Sequence, residues 1–123
     1  MSLLNSLYDI VESQKSKEQS TFVIRFNPSH PIFAGHFPGH PVVPGAVLVQ
    51  IAEELAGVFI GSTVCFNAIR NLKFRQPITP DMEVTLCIEK GVSDHFFNVQ
   101  LSTFNSLNAS FIVTYMCPDT DLQ

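Results

Sequence analysis

The chain has 123 residues, 46% of them hydrophobic, and a formal net charge of −4 at pH 7. That length fits one domain covering residues 1–123, and the apolar content excludes a disordered tail. The acidic balance excludes a general nucleic-acid binder, which needs a basic field to meet phosphates.

Leu3 to Val11 is apolar-periodic but short, and reads as either helix or strand. Gln14 to Ser20 is polar and reads as a turn or exposed loop, and Thr21 to Phe26 alternates as a strand does. Together these pieces predict an opening hairpin. Asn27 to Gly45 then holds Pro28, Pro31, Pro38, Pro41 and Pro44 with Gly35, Gly39 and Gly45 between them. Such a stretch is predicted to be neither helix nor strand. It also carries Ile32, Phe33, Phe37, Val42 and Val43, so it should pack into the protein and hold its side chains stiffly.

From Pro44 to about Ile60 the pattern is helical, with Val47, Leu48, Ile51, Leu55, Val58 and Phe59 apolar and only Gln50, Glu53 and Glu54 polar. Pro44 and Gly45 suit the helix start and Gly61 its end. Strands are predicted at Cys65–Phe74, Glu83–Lys90, Phe96–Phe104 and Ala109–Met116, with a proline corner at 76–81 and a hairpin turn at Asn105–Asn108. The fold class is α+β, one curved antiparallel sheet wrapped around a long apolar helix. A single sheet leaves its edges open, so edge-to-edge dimerisation should complete it. Cys65, Cys87 and Cys117 are widely spaced and odd in number, which suits buried free thiols better than disulfides or a metal site. No leader pattern and no apolar run of about 18 residues is present, so the expectation is a cytoplasmic protein off the membrane.

His36 stands between glycines and prolines in Gly35-His36-Phe37-Pro38-Gly39. It is either a structural loop histidine or a general base, since imidazole titrates near neutrality. His30 and His40 lie close in sequence, but no carboxylate or cysteine shares the stretch and no metal is expected. Gly45 opens the helix, where free N–H groups suit a developing oxyanion; an ordinary helix start is the plain alternative.

The run Gly35-His36-Phe37-Pro38-Gly39-His40-Pro41-Val42-Val43-Pro44-Gly45 resembles the signature of the 3-hydroxyacyl-(acyl-carrier-protein) dehydratases of fatty acid synthesis. Asn71-Leu72-Lys73-Phe74-Arg75-Gln76-Pro77-Ile78, followed by Pro80-Asp81, is similar to that family's second block. The resemblance covers about residues 20 to 90 and, more weakly, the terminal hairpin, and against that family the N-terminus looks shortened, without the usual opening helix. It implies a hot-dog dimer with sites at the subunit interface. His36 would be the base beside the thioester, and the Gly45 N–H would polarise its carbonyl. An acid fourteen residues beyond the histidine would come from the opposite subunit. That position here is Gln50, which can orient a water but has no acidic proton to give.

Glu54 shares the face of Gln50 one turn on and is a candidate rescue acid, with Glu53 beside it. Phe33, Phe37 and Pro44 are expected to line the acyl site. Arg70, Lys73 and Arg75 alternate, either to meet the phosphates of a pantetheine carrier or as a solvated strand face. Phe96, Phe97, Phe104 and Phe111 are expected in the core and tunnel wall.

The resemblance implies no cofactor beyond the substrate's phosphopantetheine, on acyl carrier protein or coenzyme A. Its leading reading is dehydration of 3-hydroxyacyl thioesters to trans-2-enoyl thioesters, Gln50 positioning water. The alternative is an impaired acyl-thioester-binding protein or the partner subunit of a heteromeric dehydratase. Thioester hydrolysis is a third. Assembly would be a homodimer, a trimer of dimers, or a heterodimer with a complete homologue.

Overall fold

The computed structural model describes residues 2–34, 39, 41–104 and 106–118, and turns the strongest sequence signal into one long helix, α1, Gly45–Ile60. Leu48, Ile51, Ala52, Leu55, Ala56 and Phe59 recur at three- and four-residue spacing and are all buried. Pro44 occupies the N-cap, where a missing N–H costs nothing. Gly61 ends the helix at φ 81°, a left-handed conformation that side chains resist, and its N–H donates to the Gly57 carbonyl at 2.8 Å.

The strands are β1 Tyr8–Lys15, β2 Gln19–Phe26, β3 Cys65–Phe74, β4 Glu83–Lys90, β5 Phe96–Thr103 and β6 Ser106–Met116. They form one antiparallel sheet in the order β1-β2-β4-β5-β6-β3. Two-residue alternation sends one set of side chains against α1: Phe22 and Ile24, Leu86 and Ile88, Val99 and Leu101, Phe111 and Val113. This is the expected α+β arrangement, a curved sheet around a central helix.

The two sheet edges differ. β1 is blunted by a bulge between Ile10 and Glu12 and carries Asp9, Glu12 and Lys15. β3 is exposed from Asn67 to Phe74 and leaves Ile69, Leu72 and Phe74 open to solvent. Its free edge is therefore the less protected of the two.

Several expectations need correction. The 14–20 stretch is mostly strand: Gln14 pairs with Thr21 and Lys15 with Ser20, leaving a turn of only 16–18. Its polar composition marks a solvent-facing edge, not a loop. Among the described residues of the 27–45 stretch, Pro31–Phe33 form a 3-10 turn. The last strand starts earlier than expected, so Ser106 to Asn108 belong to β6. Phe104 sits in a turn at φ 49° and is 88% exposed, outside the core. Phe97 and Phe111 are buried, and Phe96 is half-buried.

Asn108 is the extra residue of a bulge between β5 and β6, where Leu101 faces Ala109 but Ser102 faces Leu107. The bulge turns its side chain inward to 1% exposure. There Oδ1 accepts from the Thr103 hydroxyl at 2.8 Å and Nδ2 donates to the Pro77 carbonyl at 3.4 Å. Its own carbonyl accepts from the Arg75 and Gln76 amides at 2.7 and 3.3 Å. One residue thus fastens the 75–77 corner to the sheet. Asn108→Ala leaves the Thr103 hydroxyl and Pro77 carbonyl without this partner and should cost about 1–3 kcal/mol, read as a lower denaturant midpoint. An unchanged midpoint would show that the corner is held elsewhere.

Candidate active site

The start of α1 is open. Val47 and Leu48 amides donate to the Pro44 carbonyl at 3.0 and 3.2 Å, but among the described residues nothing accepts from the amides of Gly45 and Ala46. No acidic residue lies in the first turn, so its partial positive charge is not offset there. These amides open beside a groove of about 370 Å³ whose wall includes Val43, Pro44, Gly45, Leu48, Phe74 and Ile78. The Val43 amide donates to the Ile78 carbonyl at 2.8 Å, tying the proline-rich loop to the 76–80 corner. Gly45 is needed as glycine: a Cβ built on it would lie 2.6 Å from Cζ of Phe74.

His36 and Phe37, with Gly35, Pro38 and His40, lie outside the described residues. Phe33 is buried at the end of the 3-10 turn, facing the core. His30 caps that turn, its Nδ1 accepting from the Ile32 amide at 3.1 Å. Among the described residues no cluster of three metal-ligating side chains occurs.

Gln50 is exposed on the flank of α1. It lines a groove of about 420 Å³ shared with Glu53 and with Phe66 to Ile69 of β3, and a second of about 350 Å³ with Glu54 and Thr63. The two glutamates beside it are already engaged. Glu53 accepts from the Phe66 amide at 2.8 Å, anchoring the start of β3. Glu54 accepts from the Leu3 amide at 2.7 Å, the Leu4 amide at 3.1 Å and the Tyr8 hydroxyl at 2.9 Å. Its carboxylate holds the N-terminal segment, and no sequence pattern could have linked positions 46 to 51 residues apart.

Arg70, Lys73 and Arg75 are exposed at the β3 edge. Their alternation is broken by a register shift between Arg70 and Lys73, where Asn71 adopts φ 55°. Arg75 lies past the strand and reaches the wall of the Gly45 groove. Among the described residues the one ion pair is Arg25 with Glu83, 3.0 Å apart, so these three cations carry no carboxylate partner. Cys117 is buried, while Cys65 and Cys87 are half-buried. Among the described residues no helix is long and apolar enough to cross a membrane.

A central apolar helix in a curved antiparallel sheet is the architecture of a hot-dog protein. The model of the ApeI-like family, described as ApeI dehydratase, matches residues 12–110, and the chain belongs to that family. It is also similar to the 3-hydroxyacyl-(acyl-carrier-protein) dehydratase FabZ of Zymomonas mobilis, 34% identical over 92 residues, 68% of this chain and 58% of that protein. The corresponding protein of Geotalea uraniireducens is 37% identical over 70 residues, 50% of this chain and 48% of that protein. The chain thus spans about half the length of the curated relatives it matches.

Among solved structures, the dehydratase heterocomplex ApeI:P from Xenorhabdus doucetiae superposes with a TM-score of 0.77 at 18% identity, over 86% of this chain and 95% of that one. An uncharacterised protein from Erwinia carotovora subsp. atroseptica gives 0.66 at 22%, over 86% and 90%. At these identities the likeness is one of fold.

Burial, then the hydrogen bond to Glu54 and its negative charge, pushes the Tyr8 phenol far above its ordinary value near 10. The folded chain therefore keeps a proton that the unfolded chain releases above about pH 10. Stability present below that pH should decline as pH rises beyond it. In Tyr8→Phe this part of the alkaline decline should vanish, as measured by denaturant midpoints from pH 8 to 11. An identical slope in both proteins would place the titration elsewhere.

Proposed function

We propose that this chain is one subunit of a heteromeric dehydratase acting on 3-hydroxyacyl thioesters, with the acid of its site supplied by a partner chain. The observation that carries this reading is Gln50: the position that the family resemblance assigns to the acid holds an amide. Both nearby carboxylates, Glu53 and Glu54, are committed to holding backbone. Neither is free to deliver a proton without releasing β3 or the N-terminal segment.

In this reading the Gly45 amide, at the positive end of α1, receives the thioester carbonyl and stabilises the charge that develops on its oxygen. His36 removes a proton from the carbon beside that carbonyl. The electron pair forms the C2–C3 double bond as the C3–O bond breaks, and the partner's acid protonates the departing hydroxyl to water. The product is a trans-2-enoyl thioester. The acyl chain rides on phosphopantetheine, carried by acyl carrier protein or coenzyme A. Arg70, Lys73 and Arg75 meet its phosphates, and Phe33, Phe37 and Pro44 belong to the acyl wall.

The exposed edge of β3, with the groove beneath Gln50, is where the partner would dock. The fold match to a structure described as a dehydratase heterocomplex supports a two-chain assembly. Self-pairing would place Gln50 in both sites.

The purified chain alone should bind a 3-hydroxyacyl thioester yet form enoyl product at or near background, followed by enoyl absorbance. Gln50→Glu should raise turnover by about 10²-fold or more, the size of effect a general acid supplies, and His36→Ala in that background should abolish it. Strong turnover by the unaltered chain, lost in His36→Ala, would instead establish a self-contained dehydratase in which Gln50 positions water.

A further inference from the structure

Phe74 closes the last strand position before the 75–77 corner, pairing with Ala109 of β6. Its ring is not part of the buried core; it is 50% exposed, and its far end packs beside Gly45. An added Cβ on Gly45 would meet Cζ at 2.6 Å, Cε2 at 2.8 Å and Cε1 at 3.2 Å, so three ring atoms fill the space beside the Gly45 Cα. The same residue forms part of the groove wall together with Pro44 and Leu48. The corner that carries it is fixed by the Asn108 bonds to Arg75, Gln76 and Pro77, and by Val43 to Ile78.

We infer that Phe74 is a specificity-determining residue that admits straight acyl thioesters to the Gly45 groove and excludes those branched at the carbon beside the carbonyl. The inference rests on the proposed thioester reading, in which the carbonyl is brought to the Gly45 amide. The neighbouring carbon then lies one bond, about 1.5 Å, from the carbonyl carbon. A hydrogen there fits beside the ring. A methyl branch on that side competes with Cζ and Cε2 for the same volume, as an alanine at position 45 would. The ring can make room only by giving up its contact with Gly45. The discrimination is therefore graded, in the range a single methylene commands in an apolar pocket, about 10- to 200-fold.

The test is calorimetric binding of butanoyl-pantetheine and 2-methylbutanoyl-pantetheine to the purified full chain. The wild type should prefer the straight ester by about tenfold or more. Phe74→Ala should reduce that preference to below about threefold by admitting the branched ester, and Phe74→Leu should fall between them. Gly45→Ala should weaken the straight ester, and Phe74→Ala in the same chain should restore it. Equal binding of both esters by the wild type, or an unchanged ratio in both folded Phe74 variants, overturns the inference and leaves the thioester reading standing. Failure of the wild type to bind either ester overturns both.

Discussion

One helix can be covered on only one side by one sheet, and the rest of this structure follows from that. The buried stripe of α1, from Leu48 to Phe59, meets the apolar face built by β2, β4, β5 and β6. Burial of such side chains is worth about 1.5–3 kcal/mol each, so the stripe sets the rotation of the helix in its wrapper. With the rotation set, Gln50, Glu53 and Glu54 fall on the uncovered flank. The axial position is set separately, by Pro44 and Gly45 at one end and the left-handed Gly61 at the other.

The uncovered flank is divided by task. Glu53 reaches the backbone N–H of Phe66 near the start of β3, and Glu54 those of Leu3 and Leu4 in the turn before β1. A carboxylate accepting several N–H bonds is a strong clamp because each bond is charge-assisted. Gln50 shares its grooves with these clamps and is exposed beside the open edge of β3. The same asymmetry runs through the edges: β1 carries a bulge and charges, whereas β3 carries Ile69, Leu72 and Phe74. Whatever covers β3 also covers Gln50.

The fold was legible wherever a local period decided it. The helix is read from apolar spacing and its Pro and Gly punctuation, and β3 and β4 from alternation bounded by prolines. Where composition reported exposure rather than conformation, it misled: the polar Gln14 and Lys15 are strand because the backbone ladder with Thr21 and Ser20 continues past the core. Phe104 shows the reverse, an aromatic ring left at a turn where the chain needs a positive φ. Asn108 was invisible because its role depends on a bulge, a register event that no residue type announces. At the site, the open start of α1 could be anticipated from Pro44-Gly45. The ring of Phe74 against Gly45 could not, since it joins the helix to a strand end 29 positions away.

The substitution at position 50 gains a physical logic once two chains share the site. In a heteromeric pair the two halves need not be equivalent, and only one requires both a base and an acid. A glutamate on the idle side would be carried into the interface as it closes. There its charge would lose hydration without a reacting group to protonate, a cost that burial of an unpaired charge always brings. Glutamine keeps the shape and the hydrogen-bonding ends of glutamate while removing that charge. The amide is thus tolerated where the partner's base does no work, and it removes no group needed on this chain's own side. There, on the proposed reading, the thioester would be met by the open start of α1, whose first two amides have no acceptor among the described residues and whose dipole owes nothing to position 50. On this reasoning the retained helix start and the lost carboxylate are parts of one arrangement, in which this chain contributes polarisation and a base and takes its acid from across the interface.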